Sequence, residues 1–215
     1  MATTASVVQL WNGPNGERKA VLANIGDSRI YYLSAEGKLE QLTLDDGSGL
    51  LTAEIKHGRD RAVIYQDVLN KIDDPATIAD AEIQEVYNKR NVITQAVGSQ
   101  SQIYPHLAVV DLKPGEQLLL MSDGVSDLLS TAQMEYIIAH SPDRGSAVKY
   151  LVSEAQRLGS DPNYLRRKAY IDDATAILVG LGSENEKLAE GQQDSSVNFP
   201  LEQFADFKNA ENESP

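Results

Sequence analysis

Three observations in the sequence predict a mixed α/β chain of the α+β type. Short runs rich in Val, Ile, Leu and Tyr follow one another at residues 4–11, 18–25 and 29–33, joined by turn residues, as in an antiparallel meander. Residues 43–90 then change to long polar stretches with helical character. Over residues 145–158, Ala147, Val148, Leu151, Val152, Ala155 and Leu158 recur at three- and four-residue spacing, an apolar stripe that reads as core rather than as a cofactor site.

The elements follow in order. Asn12-Gly13-Pro14-Asn15-Gly16 has the composition of a hairpin connection between the first two strands. Ser34-Ala35-Glu36-Gly37 turns the chain into Lys38-Leu39-Glu40-Gln41-Leu42, whose alternation fits a half-buried strand. Helices are predicted over 60–71 and 77–89, separated by Pro75. The strand pattern returns at 105–112, and Lys113-Pro114-Gly115-Glu116 turns into the apolar strand ending at Ser122. Helices over 131–140 and 145–158 precede a last strand at 174–181.

Composition narrows the function classes. The 19 basic and 32 acidic residues give a formal charge of −13, which repels phosphodiester backbones and argues against a nucleic-acid partner. With no cysteine there is no disulfide, thiolate metal site or thiol catalysis, which fits a cytoplasmic home. No window approaches the roughly twenty apolar residues of a membrane span, and the N-terminus lacks a basic segment followed by an apolar core. From residue 183 the chain turns polar and acidic, so the sequence divides into a domain over 1–182 and a flexible tail over 183–215. Phe199, Leu201, Phe204 and Phe207 are the apolar exception in that tail.

Three acidic segments carry the chemistry: Gly26-Asp27-Ser28-Arg29, Ser122-Asp123-Gly124 and Asp172-Asp173-Ala174-Thr175. Each places a carboxylate where a strand meets a loop. A strand end holds a side chain in a fixed direction, and Mg²⁺ or Mn²⁺ requires several oxygens converging from fixed directions. One such segment is what a turn alone needs. The middle one says more, because the unbroken apolar run Leu118-Leu119-Leu120-Met121 ends in two Asp residues four apart, Asp123 and Asp127.

At these residues the chain resembles the metal-dependent serine/threonine protein phosphatases, the PPM or protein phosphatase 2C family. The resemblance lies in Ala23-Asn24-Ile25-Gly26-Asp27-Ser28-Arg29, Leu119-Leu120-Met121-Ser122-Asp123-Gly124 and Asp172 to Val179. Asn91-Val92-Ile93-Thr94-Gln95-Ala96-Val97-Gly98 resembles a fourth family segment, in which Arg is more usual than Gln95. It implies an α-β-β-α sandwich of two antiparallel sheets flanked by helices, two Mg²⁺ or Mn²⁺ ions with a possible third, and hydrolysis of phosphoserine or phosphothreonine in a phosphoprotein. Carried over by position, Asp123 and Asp172 are metal ligands, Asp27 and Asp127 join Asp123 at a weaker third-metal site, and Asp173 and Gly124 lie just behind the ligands. Arg29 is expected to order its strand end by pairing with a carboxylate. In the family, the region matching 43–90 includes a flap beside the active site.

The chain departs from the family pattern at its start. An acidic strand and an Asp-Gly-His-Gly-Gly-like segment normally precede the stretch matched by Met1-Ala2-Thr3-Thr4-Ala5, so the domain is expected to lack its N-terminal third. With that third go further metal-bridging groups, the general-acid His and a phosphate-binding Arg. No residue here is assigned as catalytic, and His57, His106 and His140 are read as surface or packing histidines. A missing segment or partner chain would then complete the fold. The alternative function is a catalytically silent, phosphatase-like binding or regulatory module.

Overall fold

Residues 1–14, 17–99, 102–164, 166 and 172–180 are described by the computed structural model. Strand β1 (Ala5–Asn12) pairs antiparallel with β2 (Arg18–Ile25), as the hairpin composition requires. The meander then breaks. Instead of joining β2, strand β3 (Arg29–Leu33) pairs with β4 (Leu39–Gln41) and β6 (Gln117–Met121) in a second sheet. The first sheet has the order β1-β2-β5, with β5 (His106–Asp111), and the second β4-β3-β6-β7, with β7 (Ala176–Gly180); all pairings are antiparallel.

Gly26 explains the break. Its φ of 97° is open to glycine but costly for other residues, and a Cβ there would lie 2.3 Å from Cγ2 of Thr4. The chain therefore swings β3 out of the first sheet. Burial then pays for the swing: Ala20 and Leu22 of β2 share one apolar cluster with Ile30 of β3 and Leu118 of β6, joined by Val8, Val110 and Leu120. That cluster is the layer between the two sheets.

The opposite face of the second sheet is also buried. Tyr31 and Leu119, paired across β3 and β6, are each about 1 % exposed or less, beneath a helical layer that contributes Met134, Ile137, Leu151 and Ala155. These come from α5 (Thr131–Ala139), opened by a Ser130–Gln133 capping box, and α6 (Arg144–Ser160), capped by Asp143. Burial on both faces is why β6 is an unbroken apolar run. The first sheet differs, because Val7, Val21, Leu107 and Val109 on its outer side are 44–73 % exposed.

Residues 43–90 form a helical block of their own. Helix α1 (Ser48–His57), α2 (Arg59–Lys71) and α3 (Ala81–Asn88) bury Leu50, Ala53, Ala62, Tyr65, Leu69 and Val86 in one cluster. The helix expected over 77–89 starts later, because Asp80 caps it by accepting from the amides of Glu82 and Ile83; Pro75–Thr77 is a single 3-10 turn. Sequence reading missed α1, since Gly47-Ser48-Gly49 looks like a loop and Gly47 gives no side-chain cap. It also missed α4 (Asp123–Ser126), one turn at the end of β6. Met1–Ser183 makes up one compact unit, and the expected tail lies outside the described residues. Among the described residues no helix is long and apolar enough to cross a membrane.

Gly49 lets α1 meet α3 backbone to side, for a Cβ there would stand 2.7 Å from Cα of Val86. Helix propensity alone would make Gly49→Ala stabilising by about 1 kcal/mol. Overpacking should win, and urea denaturation of Gly49→Ala is expected to show a loss of about 1–3 kcal/mol. A gain in stability would mean that α1 does not approach α3 this closely.

Candidate active site

Arg29 opens β3 and is buried, so its charge requires partners on the spot. Its Nε and Nη2 donate to Oδ2 of Asp45 at 2.9 and 2.7 Å, Nη2 also donates to Oδ1 of Asp127 at 3.0 Å, and Nη1 donates to the carbonyl of Ser126 at 3.1 Å. Burial acts against the guanidinium charge, and the carboxylates, Asp45 above all, outweigh it and hold Arg29 protonated. The pairing expected of Arg29 is present. It fastens the β4–α1 loop and α4 to the start of β3.

Asp27 lies in the same acidic neighbourhood. Burial, followed by the charges of Asp123, Asp45 and Asp127, pushes its carboxyl up to about 7. Asp123 begins α4 directly after β6. The β6–β7 register, Met121 opposite Ala176, carries Asp123 towards the Asp172–Ala174 segment. Three contacts fix that approach. The Ser122 amide donates to the carbonyl of Thr175 at 3.0 Å, the Ser122 hydroxyl donates to the carbonyl of Asp173 at 3.1 Å, and the Thr175 amide donates to the Ser122 hydroxyl at 3.0 Å. Gly124 is required here, since a Cβ would fall 2.4 Å from the carbonyl oxygen of Asp173.

The candidate ligands differ in their surroundings. Asp123, Gly124, Asp172 and Asp173 sit on adjoining segments, Asp27 feels the charge of Asp123, and Asp127 is engaged by Arg29 and, at 3.7 Å, by Nε of Arg90. Among the described residues no group of three or more His, Cys, Asp or Glu side chains is arranged to hold a metal ion. These residues therefore do not make a complete cation site by themselves.

A second polar network adjoins the first and was not foreseen. The Gly26 amide donates to Oδ2 of Asp46 at 2.8 Å, and the Asp46 amide donates back to the carbonyl of Gly26 at 3.0 Å. Oδ1 of Asp46 receives Nε2 of Gln95 at 3.0 Å and lies 2.9 Å from Nε2 of His106. Nη2 of Arg59 lies 3.1 Å from Nδ1 of His106. An arginine can only donate, so Nδ1 is the acceptor and Nε2 carries the proton given to Asp46. Burial acts to raise Asp46, and its bonds to His106, Gly26 and Gln95 outweigh burial and lower it. Gln95 also accepts from the amide of Tyr104 at 2.8 Å, which the arginine more usual in the family could not do. His106 is therefore more than a packing residue. His57, facing Glu82, and His140, stacked on Tyr136, keep surface roles. The sequence signal for the network was the pair Asp45-Asp46 directly after the β4 alternation.

Protein phosphatase PhpP of Streptococcus pneumoniae (serotype 2, strain D39) is 26 % identical over 185 residues, covering 86 % of this chain and 60 % of its own length. The PPM Ser-Thr phosphatase MsPP from Mycobacterium smegmatis, solved in complex with cacodylate, superposes with a TM-score of 0.55 at 26 % identity, over 83 % of this chain and 62 % of that one. The chain is homologous to the PPM-family serine/threonine phosphatases over most of its length. The catalytic domain of the phosphatase PstP, in complex with two manganese ions, shares the fold with a TM-score of 0.53 at 22 % identity, over 83 % of this chain and 58 % of that one. No protein-family model matches the chain. The chain spans about 60 % of the length of PhpP.

The raised Asp27 gives a signed pH dependence. Its folded value of about 7 lies above the ordinary 3.8, so the folded state binds the extra proton between them, and stability is lost as pH rises through that window. Asp27→Asn removes the charge, and at pH 8 it is expected to be more stable than the unaltered chain by order of 2–4 kcal/mol, from about 1.4 kcal/mol per pH unit. The difference should vanish near pH 4 in urea titrations. A variant less stable at pH 8 would show that the Asp27 charge is already compensated.

Proposed function

We propose that this chain carries the central and C-terminal part of a PPM-type phosphatase domain, folded as an α-β-β-α sandwich, and serves metal-dependent hydrolysis of phosphoserine and phosphothreonine in proteins. The observation that carries the reading is the approach of Asp27, Asp45 and Asp123, where burial and then mutual repulsion hold Asp27 at about 7, beside the close packing of Gly124 on the Asp173 carbonyl at one end of the second sheet. A divalent cation relieves such crowding, and the manganese-bound PstP supports Mg²⁺ or Mn²⁺ as the cofactor.

Asp123 and Asp172 are assigned as ligands, with Asp27 and Asp127 at a weaker neighbouring position and Asp173 and Gly124 in support. Bound there, a divalent cation neutralises phosphate charge and acidifies water. What this chain's own residues do is positional. Arg29 sets the angle of α4, and with it Asp123, while the Ser122–Asp173 contacts hold the Asp172 segment beside it. The remaining oxygens of a complete site are assigned to groups beyond the described residues. The open outer face of the first sheet, with Val7, Val21, Leu107 and Val109, suits a further apolar segment of such a domain, and the greater length of the relatives supports that occupant. The partner is a phosphoprotein rather than a nucleic acid or a membrane, and the cysteine-free composition supports a cytoplasmic location.

A catalytically silent binding or regulatory module is the second reading. It is favoured by the arginine-paired Asp127 and by Gln95 where the family more often has Arg. Release of phosphate from a phosphothreonine peptide with and without Mn²⁺ separates the two. The phosphatase reading predicts manganese-dependent turnover below about 1 s⁻¹, the lower end of the usual enzyme range, and at least about tenfold less in Asp123→Ala. No manganese-dependent release from a chain that still binds the phosphopeptide would select the silent module.

A further inference from the structure

The Asp46 network forms one wall of a cleft that the chemistry above does not use. This cleft of ≈ 440 Å³ lies between the β4–α1 loop, α1 and the approach to β5, with Leu44, Leu51, Tyr104 and Pro105 beside Asp46 and His106. The volume is at the small end of ligand pockets, enough for one or two amino-acid side chains. Its inner polar groups are already satisfied: Asp46 holds Gly26, Gln95 and His106, and Gln95 also holds Tyr104. An entering polar group would find no open partner among these, whereas an apolar one would cover exposed carbon on Leu51 and Tyr104, which are 43 % and 65 % exposed.

The position of the cleft identifies its occupant. The reciprocal bonds between Asp46 and Gly26 put its wall one residue from Asp27, and Asp45, which also lines it, is near enough for its charge to act on Asp27. The cleft is therefore continuous with the acidic end of the second sheet. At its mouth Arg59 is half exposed, bonded to Glu54 at 3.3 Å and to Nδ1 of His106 at 3.1 Å, and the remaining N–H groups of its guanidinium can donate to a peptide carbonyl or carboxylate.

We infer that this cleft is a specificity subsite that receives a large aliphatic or aromatic side chain of the substrate peptide, from a residue close in sequence to the phosphorylated one. The inference rests on the phosphatase reading for the position of the phosphate, but the apolar preference stands on the cleft alone.

The test is fluorescence anisotropy of the whole 215-residue chain with labelled phosphothreonine peptides in which a single Leu is moved from three positions before to three positions after the phosphorylated residue, in an alanine background, alongside their unphosphorylated forms. One Leu position is expected to bind at least about fivefold tighter than the all-alanine peptide, because a leucine side chain removes more apolar area from water than a methyl group does. The preference should disappear in Leu51→Asp and shrink in Tyr104→Ala, both at exposed positions. A Leu preference without phosphate dependence would support the cleft and overturn the phosphatase reading. Phosphate dependence without a Leu preference, a preference unchanged in both variants, or no measurable binding would overturn the subsite.

Discussion

The buried guanidinium of Arg29 is the constraint on which the acidic end of this protein depends. It joins residues 16 and 98 positions away, Asp45 and Asp127, within one hydrogen-bonded group. Leaving two buried carboxylates without it would cost several kcal/mol, more than most single core contacts contribute. That coupling explains why a one-turn helix, α4, stands at a defined angle after β6: its Ser126 carbonyl and the Asp127 carboxylate after it are both held by Arg29. Arg166, beyond the end of α6, adds to the anchorage by tying α4 to the helical block, donating to the carbonyls of Asp127 and Leu69. The geometry around Asp123 is thus a consequence of charge pairing, not of helix propensity.

Close backbone approach is the second constraint, and two glycines provide it. Gly26 turns β3 into the second sheet while exchanging two hydrogen bonds with Asp46, so the same residue separates the sheets and ties the helical block to them. Gly124 brings α4 against the carbonyl of Asp173, which puts Asp123 and the Asp172 segment side by side. Both glycines belong to the acidic segments that stand out in the sequence. Their dipeptides serve turn geometry and site assembly at once, so the turn reading and the functional reading were not competitors.

Much of this was legible in the sequence, for identifiable reasons. Strands β1 to β3, β5 to β7 and helix α6 carry strong periodic or apolar signals, and the pairing of Arg29 followed from placing an arginine beside a strand-end acid. Helix α1 was hidden because its start, Gly47-Ser48-Gly49, has loop composition, and its reason for being helical is the fit of Gly49 against Val86. The departure of β3 from the meander was hidden as well, because strand alternation does not say which sheet a strand joins. His106 was undervalued for the same kind of reason: its partners Asp46 and Arg59 are 60 and 47 residues away, a distance no local pattern reports. The resemblance of its motifs to the PPM phosphatases supplied what periodicity could not, the expectation that residues as far apart as Asp123 and Asp172 converge.

A chain of net charge −13 will attract manganese over much of its surface, so binding alone says little about a site. The most direct measurement is paramagnetic broadening of backbone amide signals by substoichiometric Mn²⁺. The amides of Gly26, Asp27, Asp123, Gly124 and Asp173 are expected to broaden first, and Asp123→Ala to remove this preference while leaving the fold intact. Broadening spread evenly over exposed acids such as Asp60, Asp67 and Asp111, with no priority for the end of the second sheet, would contradict the proposed metal site.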